Sequence, residues 1–267
     1  MAFALVVDNA AVGRTITPST QANNYPASNL LRPFEPTMPW RTTATTEQTA
    51  VIDLGSAFAL GRIILLGLNY ATLTLQANAT DSWGAPTYTS GTLTAERNLW
   101  TQRTQRCIWV APLVAGVTPS LRYVRLVIAA QTPTDGATYF SSSGIILGAA
   151  VALPSGGIRI DPVHETLSNK REARTPSGRV QSQVFGEPYA LLRYRRQALT
   201  SVSGAFDLTA IEAWKEIDRR LEENVGSGTG WCSDKPWEAF IVRLANTPRW
   251  PLSYPNAIDD LVLEEMR

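Results

Sequence analysis

The chain has 267 residues, of which 44% are hydrophobic, so it can bury a substantial core and we do not expect it to be disordered. Its 24 basic and 23 acidic side chains give a formal net charge of +1, which excludes a global field that would attract nucleic acid or an anionic membrane. We therefore expect its partners to be recognised through shape and local contacts.

The N-terminus and the two cysteines show no pattern of export, membrane insertion or metal binding. The segment Met1–Asp8 lacks a basic leader and is interpreted as a first strand. The most continuous apolar run, Ile145–Leu153, is much shorter than the roughly 20 residues that span a bilayer. Cys107 and Cys232 have no cysteine or histidine at a metal-ligand spacing, so we interpret both as core thiols and leave a disulfide between them open.

The first part of the chain, through residue 153, has the pattern of a β-sandwich. It is poor in charge and rich in Thr, Ala, Val, Ile and Leu, with turn residues at short intervals. Six short candidate strands suggest two packed sheets. They are Ala50–Leu54, Arg62–Asn69, Thr72–Ala77, Arg106–Ala111, Arg122–Ala129 and Gly144–Ala149.

Composition changes near Pro154–Gly157, where the chain becomes more charged, so we place a boundary between domains 1–153 and 154–267. Thr209 and Glu212 form a capping-box pattern at the start of a helix, Leu208–Val225, which is the one main helix that we predict. Together with strands at Tyr189–Thr200, Ala239–Ala245 and Asp260–Glu265 it predicts a smaller α+β domain. The polar stretch Asp161–Arg179 is interpreted as an arm or an interface loop.

Residues that could carry catalysis are scarce. The single histidine, His164, has no second histidine at helical ligand spacing, and no Gly-x-Ser-x-Gly pattern is present. Carboxylate pairs such as Glu222-Glu223 are sequence neighbours, whereas a hydrolase needs carboxylates that oppose each other. We therefore predict no enzyme activity, no catalytic residue, no metal site and no cofactor.

Basic and aromatic residues supply the candidate binding residues. Arginines near a tyrosine favour a protein interface over nucleic acid, because acidic residues are almost as numerous in the same region. The candidates for an oligomer interface are Arg171, Arg174, Arg193, Arg195 and Arg196. Trp83 and Trp100 fall in or near predicted loops, where their rings could contact a glycan or a partner.

Four blocks in the first domain match a known family in order and spacing. Ala27–Leu31, Trp40–Thr43, Val51–Gly55 and Ile63–Asn69 resemble discoidin-like (galactose-binding-like) modules found in phage tail proteins. This resemblance implies a mainly β protein whose first domain is a jelly-roll sandwich. The sequence departs from a functional lectin in showing no calcium-ligand cluster.

The second domain looks like tail-tip proteins of the distal-tail type. The resemblance rests on Thr175–Arg179, Tyr189–Gln197, Leu208–Val225 and Phe240–Val242. It implies a virion protein, made in the cytoplasm of the bacterial host, that forms a ring of three or six subunits between the tail tube and the hub or fibres. We expect such a structural role, and the alternative is a carbohydrate-binding module that reads a surface glycan without catalysis. Neither role involves nucleic acid or a membrane.

Overall fold

The structure is a computed structural model. It describes residues 4–33, 38–97, 105–110, 120–152, 163–167, 170–174, 180–184, 189–194, 216–217, 219–220, 229–232, 239–244 and 261–265. The chain forms two compact units, the first comprising Met1–Leu153 with Arg219–Ile241 and the second Pro154–Asp218 with Val242–Arg267. The division into domains 1–153 and 154–267 stays a prediction.

The first unit contains two antiparallel sheets that form a β-sandwich. Its elements through residue 152 are β1 (Ala4–Val6), β2 (Thr15–Pro18), a 3-10 helix (Ala27–Leu31), β3 (Trp40–Arg41), β4 (Gln48–Ala59), β5 (Arg62–Leu68), β6 (Thr72–Asn78), β7 (Tyr88–Thr94), β8 (Glu96–Arg97), β9 (Gln105–Val110), β10 (Ser120–Ile128), β11 (Ser141–Ser142), β12 (Gly144–Gly148) and β13 (Val151–Ala152). One sheet has the order β2-β4-β10-β6-β7 and the other β12-β5-β9-β8, while β3 pairs with β11.

Alternation along the strands explains the core. In β4, Ala50, Ile52 and Leu54 are buried and the residues between them are half-buried, as expected for a strand with one face inward. Matching residues of β6 and β10 join side chains of β5 and β12 in one hydrophobic cluster. The predicted mainly β fold with an N-terminal sandwich is confirmed.

The strand that starts at Gln48 is longer than the predicted Ala50–Leu54. The candidate strand ended at Leu54, directly before a glycine, but β4 continues to Ala59. Gly55 has a φ of 77°, and the pairing with β10 shifts there. A bulge therefore accommodates the glycine inside the strand instead of ending it.

Further strands follow in the rest of the chain. They are β14 (Val163–Leu167), β15 (Lys170–Arg174), β16 (Val180–Val184), β17 (Tyr189–Tyr194), β18 (Thr229–Cys232), β19 (Ala239–Leu244) and β20 (Leu261–Glu265). In the second unit β17 lies between β14 and β20, and β15 pairs with β16 as a separate two-stranded ribbon. In the first unit β1 lies between β13 and β18.

The described residues bear on two predictions for this region, the helix Leu208–Val225 and the polar stretch Asp161–Arg179. Residues 216, 217, 219 and 220 are helical and lie inside the predicted helix Leu208–Val225, with Ile217 buried. The stretch Asp161–Arg179 is not simply a loop, because it contains β14 and β15. Strands with many charged side chains are stable when their backbone groups are paired, and the interpretation of this stretch as an arm stays a prediction.

Candidate functional site

The loops at one end of the sandwich hold Arg41 between two neighbouring segments. On one side Arg41 pairs with Ser141 through β3 and β11. On the other side its amide donates to the carbonyl of Tyr25 (3.1 Å), and its carbonyl accepts from the amide of Ala22 (2.8 Å). These backbone contacts place Tyr25 beside Arg41 on one side and Tyr139, two residues before Ser141, on the other.

The guanidinium of Arg41 lies against two aromatic rings. Its Cζ is 3.7 Å from the ring centroid of Tyr25 and 4.9 Å from that of Tyr139, and all three residues are half-buried. Its Nε is buried without a hydrogen-bond partner in the part of the chain that the structure describes. No described residue accepts a hydrogen bond from the terminal nitrogens of Arg41, Nη1 and Nη2. None forms an ion pair with them either. Stacking on the rings is favourable, but it leaves the donors of the guanidinium unused.

Buried aromatic residues form a rigid base under this cluster. Trp40 is fully buried, and its indole nitrogen donates to the carbonyl of Thr20 (3.2 Å). The hydroxyls of Tyr70 and Ser142 lie 2.7 Å apart, and the ring of Tyr70 meets Phe140 edge-to-face with centroids 5.7 Å apart. Since Trp40 and Phe140 directly adjoin Arg41 and Tyr139, the core fixes the backbone that carries the cluster.

Asn69 fixes the loop that precedes Tyr139. Its buried Nδ2 donates to the carbonyl of Tyr139 (3.0 Å) and to the carboxylate of Asp135 (3.2 Å). Its Oδ1 accepts from the amide of Ser141 (2.7 Å), and its carbonyl accepts from the amide of Thr134 (2.7 Å). A buried amide whose donors and acceptor are all used holds its neighbours in one arrangement. Tyr139 is therefore held in place before any ligand binds.

Asp53 and Arg122 form a second charged cluster, in which both partners are satisfied. Arg122 donates through Nε (2.7 Å) and Nη2 (2.8 Å) to the two carboxylate oxygens of Asp53. These hydrogen bonds lower the pKa of Asp53 from 3.8 to about 2; partial burial opposes the shift and the amide of Gly55 adds to it. The pair joins β4 to β10, and each charge has the other as its counter-ion.

Trp83 lies away from the Arg41 cluster. Asn69 precedes the start of β6, whereas Trp83 follows its end. The indole nitrogen of Trp83 donates to Asp81 (2.7 Å), and Arg125 places its Cζ 5.5 Å from the ring centroid. Arg125 is on the outer face of β10, because its neighbours in the strand point into the core. The ring is half-buried against this sheet, and its contact with a glycan or a partner stays a prediction.

The other predicted site residues are divided between separate elements or lie outside the described residues. Arg171 and Arg174 are in the β15–β16 ribbon, opposite Gln183 and Val180, while Arg193 is in β17 of a different sheet. Trp100, Arg195 and Arg196 lie outside the described residues. The interface role of the arginines stays a prediction.

The described residues contain neither a metal-ligand cluster nor a membrane-spanning helix. Among the described residues, no three His, Cys, Asp or Glu side chains come together as a metal site would require. The helical segments of that same part are too short or too polar to cross a bilayer. Cys107 is in β9 and Cys232 in β18.

Sequence reasoning missed Tyr25, Arg41 and Tyr139 as a group. Trp40 and Arg41 belong to the block Trp40–Thr43, for which only a family resemblance was predicted. The sequence feature that could have indicated this site is an arginine directly after a core tryptophan, near a loop rich in polar residues. That signal does not reveal which two tyrosines the fold brings to it, since the three residues are distant in sequence.

No family model matches this sequence, and no curated protein matches it. Among solved structures, a fucose-binding module of Streptococcus pneumoniae is similar, with 9% identity, a TM-score of 0.40, and coverage of 53% of this chain and 98% of the module. A chitosan-binding module from a chitosanase/glucanase of Paenibacillus sp. IK-5 has 21% identity and a TM-score of 0.35 over 53% of this chain and 99% of its own. The lectin domain of lectinolysin complexed with Lewis B antigen has 11% identity and a TM-score of 0.38 over 54% and 98%.

The assignment of a sandwich rests on the strand pairing and the common core. The tail-tip role stays a prediction.

Proposed function

We propose that the sandwich is a saccharide-binding module and that its site is the cluster of Arg41, Tyr25 and Tyr139. The observation that supports this proposal is the half-buried guanidinium held between two tyrosine rings without a described acceptor. The proposed mechanism is association without bond chemistry.

The chemistry of the cluster suits a sugar. A guanidinium offers several donors in a fixed plane, and sugars present many hydroxyl acceptors. Tyrosines add an apolar ring and a hydroxyl with little side-chain entropy to lose. Because Asn69 and the aromatic base fix the loops, little ordering cost remains for binding.

The test is a saccharide array probed with the full chain, followed by titration of the best ligand. We expect Arg41→Gln and Tyr139→Ala to weaken binding at least about tenfold, the effect of losing one charge-assisted hydrogen bond or one aromatic contact. The matched control is Arg125→Gln, since Arg125 also lies against an aromatic ring but on the outer sheet face. Its affinity should stay unchanged.

Two results would contradict the proposal. If no saccharide binds the intact chain, the module is not a saccharide reader. If Arg125→Gln or Trp83→Ala abolishes binding while Arg41→Gln does not, the site is the Trp83 surface instead.

The second function that we propose is assembly into a ring of a phage tail tip, joined to the tail tube and to hub or fibre proteins. The observation that favours it is the β15–β16 ribbon, which is a separate two-stranded sheet and carries Arg171 and Arg174. A two-stranded ribbon alone is marginally stable, so pairing with another copy would complete it. Native mass spectrometry should show three or six copies that dissociate in Arg171→Glu/Arg174→Glu; a monomeric chain at micromolar concentration would contradict this role.

A further inference from the structure

We infer that the saccharide bound at the Arg41 cluster is acidic and that Arg41 binds its carboxylate or sulfate group; this rests on the proposed saccharide-binding function. The observation behind it is a positive charge that the described residues leave without a counter-ion. Three features of the site lead to an anionic ligand.

The first feature is how Arg41 differs from Arg122 and Arg62, two other arginines of the sandwich. Arg122 has a bidentate carboxylate partner, and Arg62 donates to a backbone carbonyl. Arg41 has neither, although it carries the only nitrogen among the described side chains that is buried without a partner. A buried donor without a partner is costly on a charged group, and the two tyrosine rings against the guanidinium offset part of that cost.

The second feature concerns the acid in the same loop. Asp135 is the carboxylate nearest in sequence to Tyr139, but its oxygens accept from Asn69 Nδ2 and from the amide of Ala137 (3.1 Å). It therefore stabilises the loop instead of pairing with Arg41. The charge of the guanidinium stays available to a ligand.

The third feature is the orientation of the guanidinium. Rings from two segments contact it and its Nε is buried, so the terminal Nη1 and Nη2 groups are the part that a ligand can reach. Two parallel N–H donors match the two oxygens of a carboxylate or of a sulfate. A neutral sugar hydroxyl carries no negative charge to pair with the guanidinium.

The experiment compares three oligosaccharides of equal length with the full chain: oligogalacturonate, a neutral galactan and a sulfated galactan. We expect at least one acidic ligand to bind about tenfold or more tightly than the neutral one, since a charge-assisted bidentate pair exceeds a neutral hydrogen bond by that order. Arg41→Gln should remove this preference, Arg41→Lys should keep part of it, and Arg125→Gln should keep all of it. Which acidic ligand binds identifies the anionic group as carboxylate or sulfate.

The outcomes separate the inference from the function on which it rests. If neutral and acidic ligands bind with equal affinity and Arg41→Gln weakens the binding of both, the acidic preference is overturned. The proposal that a saccharide binds at this site then still stands. An acidic preference that persists in Arg41→Gln would overturn the assignment to Arg41. Failure of all three oligosaccharides and of the array would overturn both.

Discussion

At the scale of single residues, the site depends on polar groups whose partners are already fixed and on one that is not. Asn69 uses its side-chain amide completely, whereas the guanidinium of Arg41 has only aromatic contacts. The hydrogen bonds of Asn69 make the loop rigid, and the guanidinium of Arg41 keeps donors available to a ligand. A preorganised site of this kind loses little entropy when a ligand arrives.

Replacing Asn69 tests this division of roles. Asn69→Ala leaves the amide of Ser141 and the carbonyl of Tyr139 without their partner inside the structure. We expect a loss of about 1–3 kcal/mol in the free energy of unfolding, the cost of unsatisfied buried groups. Urea unfolding measures this, with the exposed Asn23→Ala as the control. An unchanged midpoint would show that Asn69 does not hold the loop.

At the scale of elements, neighbouring strands of one sheet are joined by features that the local sequence pattern does not reveal. The bulge in β4 keeps Asp53 facing Arg122 on β10, although the glycine that follows would be expected to end the strand. The ion pair therefore links two strands at a place where their regular pairing is interrupted. It should make stability depend on pH.

The sign of this dependence follows from the pKa of Asp53, which is lowered from 3.8 to about 2. A carboxyl group with a lowered pKa stabilises the fold above its unfolded value, and this contribution disappears as pH falls through the folded value. Asp53→Asn should therefore lower the melting temperature by a few degrees at most at pH 7, because both side chains are partly exposed.

The difference from the unaltered protein should shrink between pH 4 and pH 2. Thermal unfolding followed by circular dichroism measures both curves. Arg122→Gln serves as the matched control, since it removes the same pair from the other side. A difference that stays constant down to pH 2 would rule out the ion pair as its cause.

At the scale of the whole molecule, the sequence predicted the sandwich but not its candidate site. The alternation of buried residues in β4, β6 and β10 is a property of the local sequence. The bounds of strands such as Thr72–Asn78 could therefore be predicted closely. The Arg41 cluster depends on which segments flank β3, and that pairing is set by the complete fold. Trp83 was selected because it is aromatic and in a loop, but sequence does not show that Arg125 and Asp81 already contact it.

The central claim is that a saccharide binds at the loop end of the sandwich that carries Arg41. Chemical-shift mapping of the ¹⁵N-labelled full chain with oligogalacturonate tests it most directly. We predict that the Arg41 side-chain Nε–Hε signal and the amides of Tyr25 and Tyr139 shift in a saturable way, while the Trp83 indole signal does not. Shifts confined to Trp83 and Arg125, or no shift with any acidic or neutral oligosaccharide, would contradict the claim.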